Sequence, residues 1–86
     1  MNVRLPSNLA EYTREARLVQ ASGRTLGEAL ADLDRRYPGI RFRIVSEQDR
    51  IRRHIKVFVN EAQARDLDTP VSPRDEILIV AALSGG

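Results

Sequence analysis

The chain has 86 residues, a net charge of +2 and no cysteine. That length holds one domain with one core, and a domain this small has few side chains to spare for a deep catalytic pocket. Without cysteine there is no disulfide framework, thiolate zinc site or cysteine nucleophile, and the composition fits a reducing cytoplasm. No secretory signal is visible, since Met1-Asn2-Val3-Arg4 leads straight into a strand-like run. The longest apolar run, Ile77 to Leu83, is far short of the roughly 20 residues that span a bilayer, so no membrane segment is expected.

Val3 and Leu5 alternate with Asn2 and Arg4, which predicts a short first strand ended by Pro6-Ser7-Asn8. Arg14 to Ala21 reads as a second strand, and its pattern leaves open whether Leu18 or Val19 points inward. Ser22-Gly23-Arg24 is a turn. Thr25-Leu26-Gly27-Glu28 has the spacing of a capping box, with Thr25 accepting from the Glu28 N–H and Glu28 reaching back to the Thr25 N–H. Leu26, Ala29, Leu30, Leu33 and Tyr37 then recur at helical spacing, while Asp32, Asp34, Arg35 and Arg36 take the remaining face. Pro38-Gly39 stops this helix.

Ile40 to Arg53 is charged and irregular, with a helical turn expected through Phe42 and Val45. From His54 to Asn60 the pattern alternates, with Ile55, Val57 and Val59 on one face and His54, Lys56 and Phe58 on the other. Asn60-Glu61 is a turn, and Ala62 to Pro73 is expected to be mostly loop. Arg74-Asp75 turns into a last strand, Glu76 to Ala82, whose apolar residues on both faces suit a central position. The expected organisation is a domain over residues 1–82 and a free tail over 83–86 that ends in Gly85-Gly86.

Strand, strand, helix, strand, strand is an α+β order, a mixed four- to five-stranded sheet with one main helix packed across one face. If the last strand pairs in parallel with the first, the sheet is a β-grasp, as in ubiquitin. If Ile77 and Ile79 face the helix, then Leu78, Val80 and Phe58 face away from it. That exposed apolar patch would mark a protein interface, unless the Ile40 to Arg53 segment folds over it.

The β-grasp order, the helix opening at Thr25-Leu26, the strand ending Val57-Phe58-Val59-Asn60, the turn at Arg74-Asp75-Glu76 and the apolar strand running into Gly85-Gly86 resemble the MoaD/ThiS sulfur carriers over essentially the whole chain. His54 to Asn60 and the overall length are closer to the CysO-like carriers of cysteine synthesis than to the shorter thiamin carriers. The resemblance implies a carrier rather than an enzyme. An E1-like adenylating enzyme of the MoeB/ThiF type would activate the Gly86 carboxylate with ATP. A sulfur donor protein or sulfide would convert it to a thiocarboxylate. A sulfur-accepting pathway enzyme would then take the sulfur for cysteine, molybdopterin, thiamin or another thio-metabolite. Phe58, Leu78, Val80, Leu83 and Ser84 would form the partner-binding surface beside the tail.

Composition alone would put glycine at both terminal positions about 0.5% of the time. The chemistry gives a reason for the pair, because a glycine terminus has no β-carbon to obstruct a narrow channel in a partner. The remaining motifs fit a passive carrier. No phosphate-cradling loop or dinucleotide fingerprint is present, and His54 is the only histidine, so neither a bound cofactor nor a metal site is expected. Two other readings stand beside this one. A ubiquitin-like modifier would use the same adenylated terminus to form an isopeptide. An RNA-binding accessory domain would use the eight cations between Arg35 and Lys56, yet aromatics are only 5% of the chain, so no nucleic-acid partner is expected.

Overall fold

The computed structural model describes residues 1–81. The sequence expectations for Ala82, Leu83, Ser84, Gly85 and Gly86 lie outside these described residues. Five strands, β1 (Asn2–Arg4), β2 (Leu18–Gln20), β3 (Ile55–Val59), β4 (Ala62–Ala64) and β5 (Glu76–Ala81), form one sheet in the order β2-β1-β5-β3-β4. β1 and β5 pair in parallel, with Val3 opposite Ile77, and every other pairing is antiparallel. This is the β-grasp arrangement, with β5 held between β1 and β3. Helix α1 (Leu26–Arg36) and the short helix α2 (Ile40–Ile44) supply the second layer. The core lies between the layers and is built from Val3, Val57, Ile77 and Ile79 of the sheet and Leu26, Leu30, Leu33, Ile40 and Ile44 of the helices, all essentially without solvent contact.

Helix α1 begins as the capping pattern predicts, with Thr25 Oγ1 accepting from the Glu28 N–H at 3.1 Å. The reciprocal bond differs by one residue. The Glu28 carboxylate accepts from the Arg24 N–H at 2.9 Å, and the Leu26 and Gly27 N–H groups at the helix start are taken by a neighbouring loop. They donate to the carbonyls of Thr69 and Leu67 at 2.8 and 2.9 Å. A β-carbon on Gly27 would come within 3.2 Å of Leu67, so glycine lets the loop approach. The helix stops where expected, and Gly39 has φ of +97°, a left-handed conformation that favours glycine.

Four parts of the fold depart from the sequence expectation. Residues Ser7–Thr13 form a 3₁₀ helix that buries Leu9, Ala10 and Thr13, and β2 is confined to Leu18–Gln20, with Val19 inward and Leu18 outward. The Arg14 to Ala16 stretch expected in that strand is spent leaving the 3₁₀ helix, with Arg14 and Glu15 both at positive φ. Ala62–Ala64 is a strand rather than loop: Asn60 and Glu61 take φ of 49° and 80°, the left-handed pair that closes a tight two-residue hairpin.

Asp32 is the fourth. It is buried on α1 instead of taking the solvent face. Its carboxylate accepts from the Ser22 N–H at 2.9 Å, from Arg36 Nε at 2.9 Å and from Arg35. The sequence shows it as one of a polar stripe, but the turn after β2 arrives over it and needs an acceptor. The Ser22 backbone bond foremost, with the two guanidinium groups, holds the carboxyl below its ordinary value against the opposing effect of burial.

Two stability outcomes are expected. Leu33→Ala, at a position with no solvent contact, should cost about 2–5 kcal/mol by chemical denaturation. Asp32→Asn should cost about 1–3 kcal/mol at neutral pH, since a buried charged acceptor with three donors is lost. A folded-state pKa below the unfolded one contributes stability that is full above about pH 4 and is lost as pH falls below it. The gap between wild type and Asp32→Asn should therefore narrow at pH 3, which paired denaturant titrations would measure.

Candidate functional site

The period-two alternation of β5 sorts its side chains between two environments. Ile77 and Ile79 are 1% exposed and face the helices, while Leu78 and Val80 are 42% and 39% exposed on the opposite sheet face. On β3, Ile55 and Val57 are buried, Lys56 is exposed and Phe58 is half-buried. The register sets Phe58 opposite Leu78 and Lys56 opposite Val80. On the other side of β5, Arg4 pairs with Leu78, and Leu18 pairs with Arg4. One row of the outer face therefore reads Leu18, Arg4, Leu78, Phe58 across four strands.

Phe58 and Leu78 line an open cleft of about 460 Å³, with Arg4, Asn60, Glu61 and Glu76 at its polar edges. Asn60 fixes that edge: its Nδ2 donates to Asp75 at 2.8 Å, and its Oδ1 accepts from the Glu76 N–H at 2.9 Å. Asp75 also accepts from the Ser72 N–H at 2.8 Å. The Asn60 bond foremost, then that of Ser72, lowers the Asp75 pKa. The start of β5 is thus tied to the β3–β4 turn by polar bonds, and the apolar row lies just beyond it.

The Ile40 to Arg53 segment does not cover this face. Ile40, Ile44 and Val45 are buried in the core on the helix side. Of the residues proposed from sequence, Phe58, Leu78 and Val80 come together on the outer face, whereas Leu83, Ser84, Gly85 and Gly86 lie outside the described residues. Ala81, the last described residue, pairs with Ile55 and marks the end of the sheet from which the chain continues. Leu18 and Arg4 were missed, and the signal lay in β2: once Val19 is inward, alternation sends Leu18 outward.

Asp66 and Asp68 sit in a turn in which Asp66 accepts from the Asp68 N–H at 3.0 Å. Among the described residues no group of three or more His, Asp or Glu could hold a metal ion, and no helix is long and apolar enough to cross a membrane.

A β-grasp sheet with an uncovered apolar row and a central strand leading into a diglycine defines a ubiquitin-like carrier. The ThiS family model matches residues 3–86, and the chain belongs to that family. The sulfur carrier protein CysO of Mycobacterium tuberculosis is 32% identical over 91 residues, covering 100% of this chain and 98% of the relative. The CysO of Mycobacterium bovis matches equally. A chain of the Amycolatopsis orientalis BexX/CysO complex superposes with a TM-score of 0.90 at 32% identity, covering 99% of this chain and 98% of that one. The small archaeal modifier protein 1 of Haloferax volcanii superposes with a TM-score of 0.79 at 29% identity, covering 100% and 98%. The chain is a CysO-like sulfur carrier protein rather than an enzyme.

The two faces of β5 should respond oppositely to substitution. Leu78→Ser, on the open face, should change stability by less than about 1 kcal/mol, and Ile79→Ala, in the core, should cost about 2–5 kcal/mol. Thermal or denaturant unfolding of the two variants would separate the faces, and equal losses would place Leu78 in the core.

Proposed function

We propose that the chain carries sulfur as a thiocarboxylate at Gly86, formed after adenylation of that carboxylate. The observation that carries this reading is the family match through the terminal diglycine, joined to relatives named as sulfur carriers. A carboxylate oxygen of Gly86 attacks the α-phosphorus of ATP held by an E1-like partner of the MoeB/ThiF type, and pyrophosphate leaves. Sulfide, or the terminal sulfur of a donor protein, attacks the resulting acyl-adenylate at its carbonyl carbon, and AMP leaves. Where the donor is a persulfide, the acyl disulfide so formed is then attacked at the donor sulfur by a second thiol, which forms a disulfide with the donor and releases the thiocarboxylate. The carrier's own side chains take no part in these steps. Its contribution is a terminus without a β-carbon and a rigid domain that delivers it.

The outer face supports a partner role. Phe58, Leu78 and Val80, with Leu83 and Ser84 nearer the terminus, would be gripped by the activating enzyme. The complexed Amycolatopsis relative supports association with partner proteins. A sulfur-accepting enzyme of cysteine or another thio-metabolite synthesis would then consume the thiocarboxylate, and the site of action would be the cytoplasm. The likeness to archaeal modifier proteins favours a second reading, in which a lysine amine of a target protein attacks the same adenylate. Lys56 is the only lysine of this chain, so chains built on itself would have one linkage point besides the N-terminus.

Deleting Gly86 shortens the reach by about 3.5 Å, while in-line attack tolerates misplacement of about an ångström. The deletion should abolish ATP–pyrophosphate exchange with a MoeB/ThiF-type enzyme and leave thermal unfolding unchanged, because it removes no residue of the core cluster described above. Full exchange by the deletion would overturn the reading. Intact mass after incubation with a sulfur source distinguishes the two outcomes, a gain of about 16 mass units for the thiocarboxylate or a conjugate for the modifier.

A further inference from the structure

Within the basic segment singled out in the sequence, Lys56 lies opposite Val80 on the outer face. Arg43, Arg50, Arg52 and Arg53 gather instead where α2 meets the start of β3. One cleft of about 230 Å³ is lined by Phe42, Arg43, Arg52 and His54, and an adjoining one of about 390 Å³ shares Arg52 and His54 and adds Arg50 and Arg53. No carboxylate lines either cleft. Among the described residues, none of these four arginines has an acidic side chain in ion-pair distance, whereas Arg35, Arg36 and Arg41 are each paired.

Part of this groove is already ordered. Arg52 Nε donates to the Phe42 carbonyl at 2.7 Å, and its guanidinium lies 4.6 Å from the centroid of the Phe42 ring. That bond and stack hold the guanidinium in place, and its terminal nitrogens have no hydrogen-bond partner among the described residues, which lowers the entropy lost on binding an anion. Phe42 is 54% exposed although it follows two residues after the buried Ile40, so an apolar edge accompanies the charge. The groove also has a defined place relative to Ala81 of β5. β3 runs antiparallel to β5 and Ile55 pairs with Ala81, so residues 52–54 stand at the end of the sheet from which the chain continues to Gly86. The groove shares no lining residue with the outer cleft at Phe58 and Leu78.

We infer that this groove docks an acidic peptide segment of a partner protein that receives the C-terminus. The inference rests on the carrier reading, since that reading gives the terminus a recipient. Arginine forks match carboxylates two bonds at a time, and a second contact beside the tail would fix the terminus in register and speed encounter. A nucleic-acid strand fits less well. Phe42 already stacks on Arg52, leaving one free ring face where single-strand binders present several platforms.

The probe is a fluorescein-labelled hexaglutamate, titrated against the full chain at low ionic strength, with amide shifts read on ¹⁵N-labelled protein. Shifts are expected at residues 42–43 and 52–54 and not at Phe58 or Leu78. Arg43→Glu/Arg53→Glu should weaken binding at least about tenfold, and Arg14→Glu/Arg74→Glu, with the same change in net charge at exposed positions elsewhere, less than about twofold. Should the first pair unfold, Arg43→Gln/Arg53→Gln makes the same test with a smaller loss. Equal losses in the two charge-reversed variants, shifts centred on the outer face, or tighter binding of hexauridylate in the groove would overturn the inference. Pyrophosphate exchange by the wild-type protein reports the carrier reading separately. Its absence removes that reading, while the peptide titration alone decides the groove.

Discussion

A strand held on both sides cannot turn about its axis, and β5 is such a strand. β1 pairs with it in parallel and β3 antiparallel, so its side chains divide strictly between core and solvent. Ile77 and Ile79 are inside because Leu78 and Val80 are outside. A slip of one residue would exchange the two sets, leaving isoleucines in water and a leucine against α1, which is why the register is strongly specified.

Around β5 the remaining elements act as fixtures. α1 covers the inner face with Leu26, Leu30 and Leu33. Its N-terminus is closed by carbonyls of the loop that precedes β5, so helix and strand are linked through backbone bonds as well as packing. Asn60 performs a similar task at the start of β5, joining the hairpin turn to Asp75 and Glu76. Asp32 ties the turn after β2 to the helix. The function proposed above would call for this rigidity, because its reacting atom is at the end of the chain and positional error accumulates from the domain outward. In that cycle the domain would need no pocket of its own, with partners supplying nucleotide and sulfur.

The domain presents two chemically different surfaces. The outer face offers Leu78, Val80 and half-buried Phe58, rimmed by Arg4, Glu61 and Glu76. The groove at the α2–β3 junction offers guanidinium groups and the edge of Phe42. Apolar contact gives affinity without much direction, whereas charge gives orientation and rate at the cost of salt sensitivity. A small protein that meets more than one partner through the same terminus benefits from keeping the two apart.

Much of this was legible in the 86 residues alone. The leucine spacing and the Thr25 cap define α1, the alternation from Ile55 to Phe58 and along β5 assigns inner and outer faces, and the terminal diglycine with the element order points to the family. These signals are local, carried by periodicity or by a motif within a few residues. What only the tertiary structure decided was non-local or weakly patterned. The 3₁₀ helix has no strong period, and β4 is three residues long and exists because β3 offers it an edge. Val19 rather than Leu18 turns inward because β1 sets its register. Asp32 is buried because a backbone N–H from a turn ten residues earlier requires an acceptor. The basic segment looks in sequence like a solvated run, and only the folding of α2 against the start of β3 brings its arginines around one groove at the end of β5.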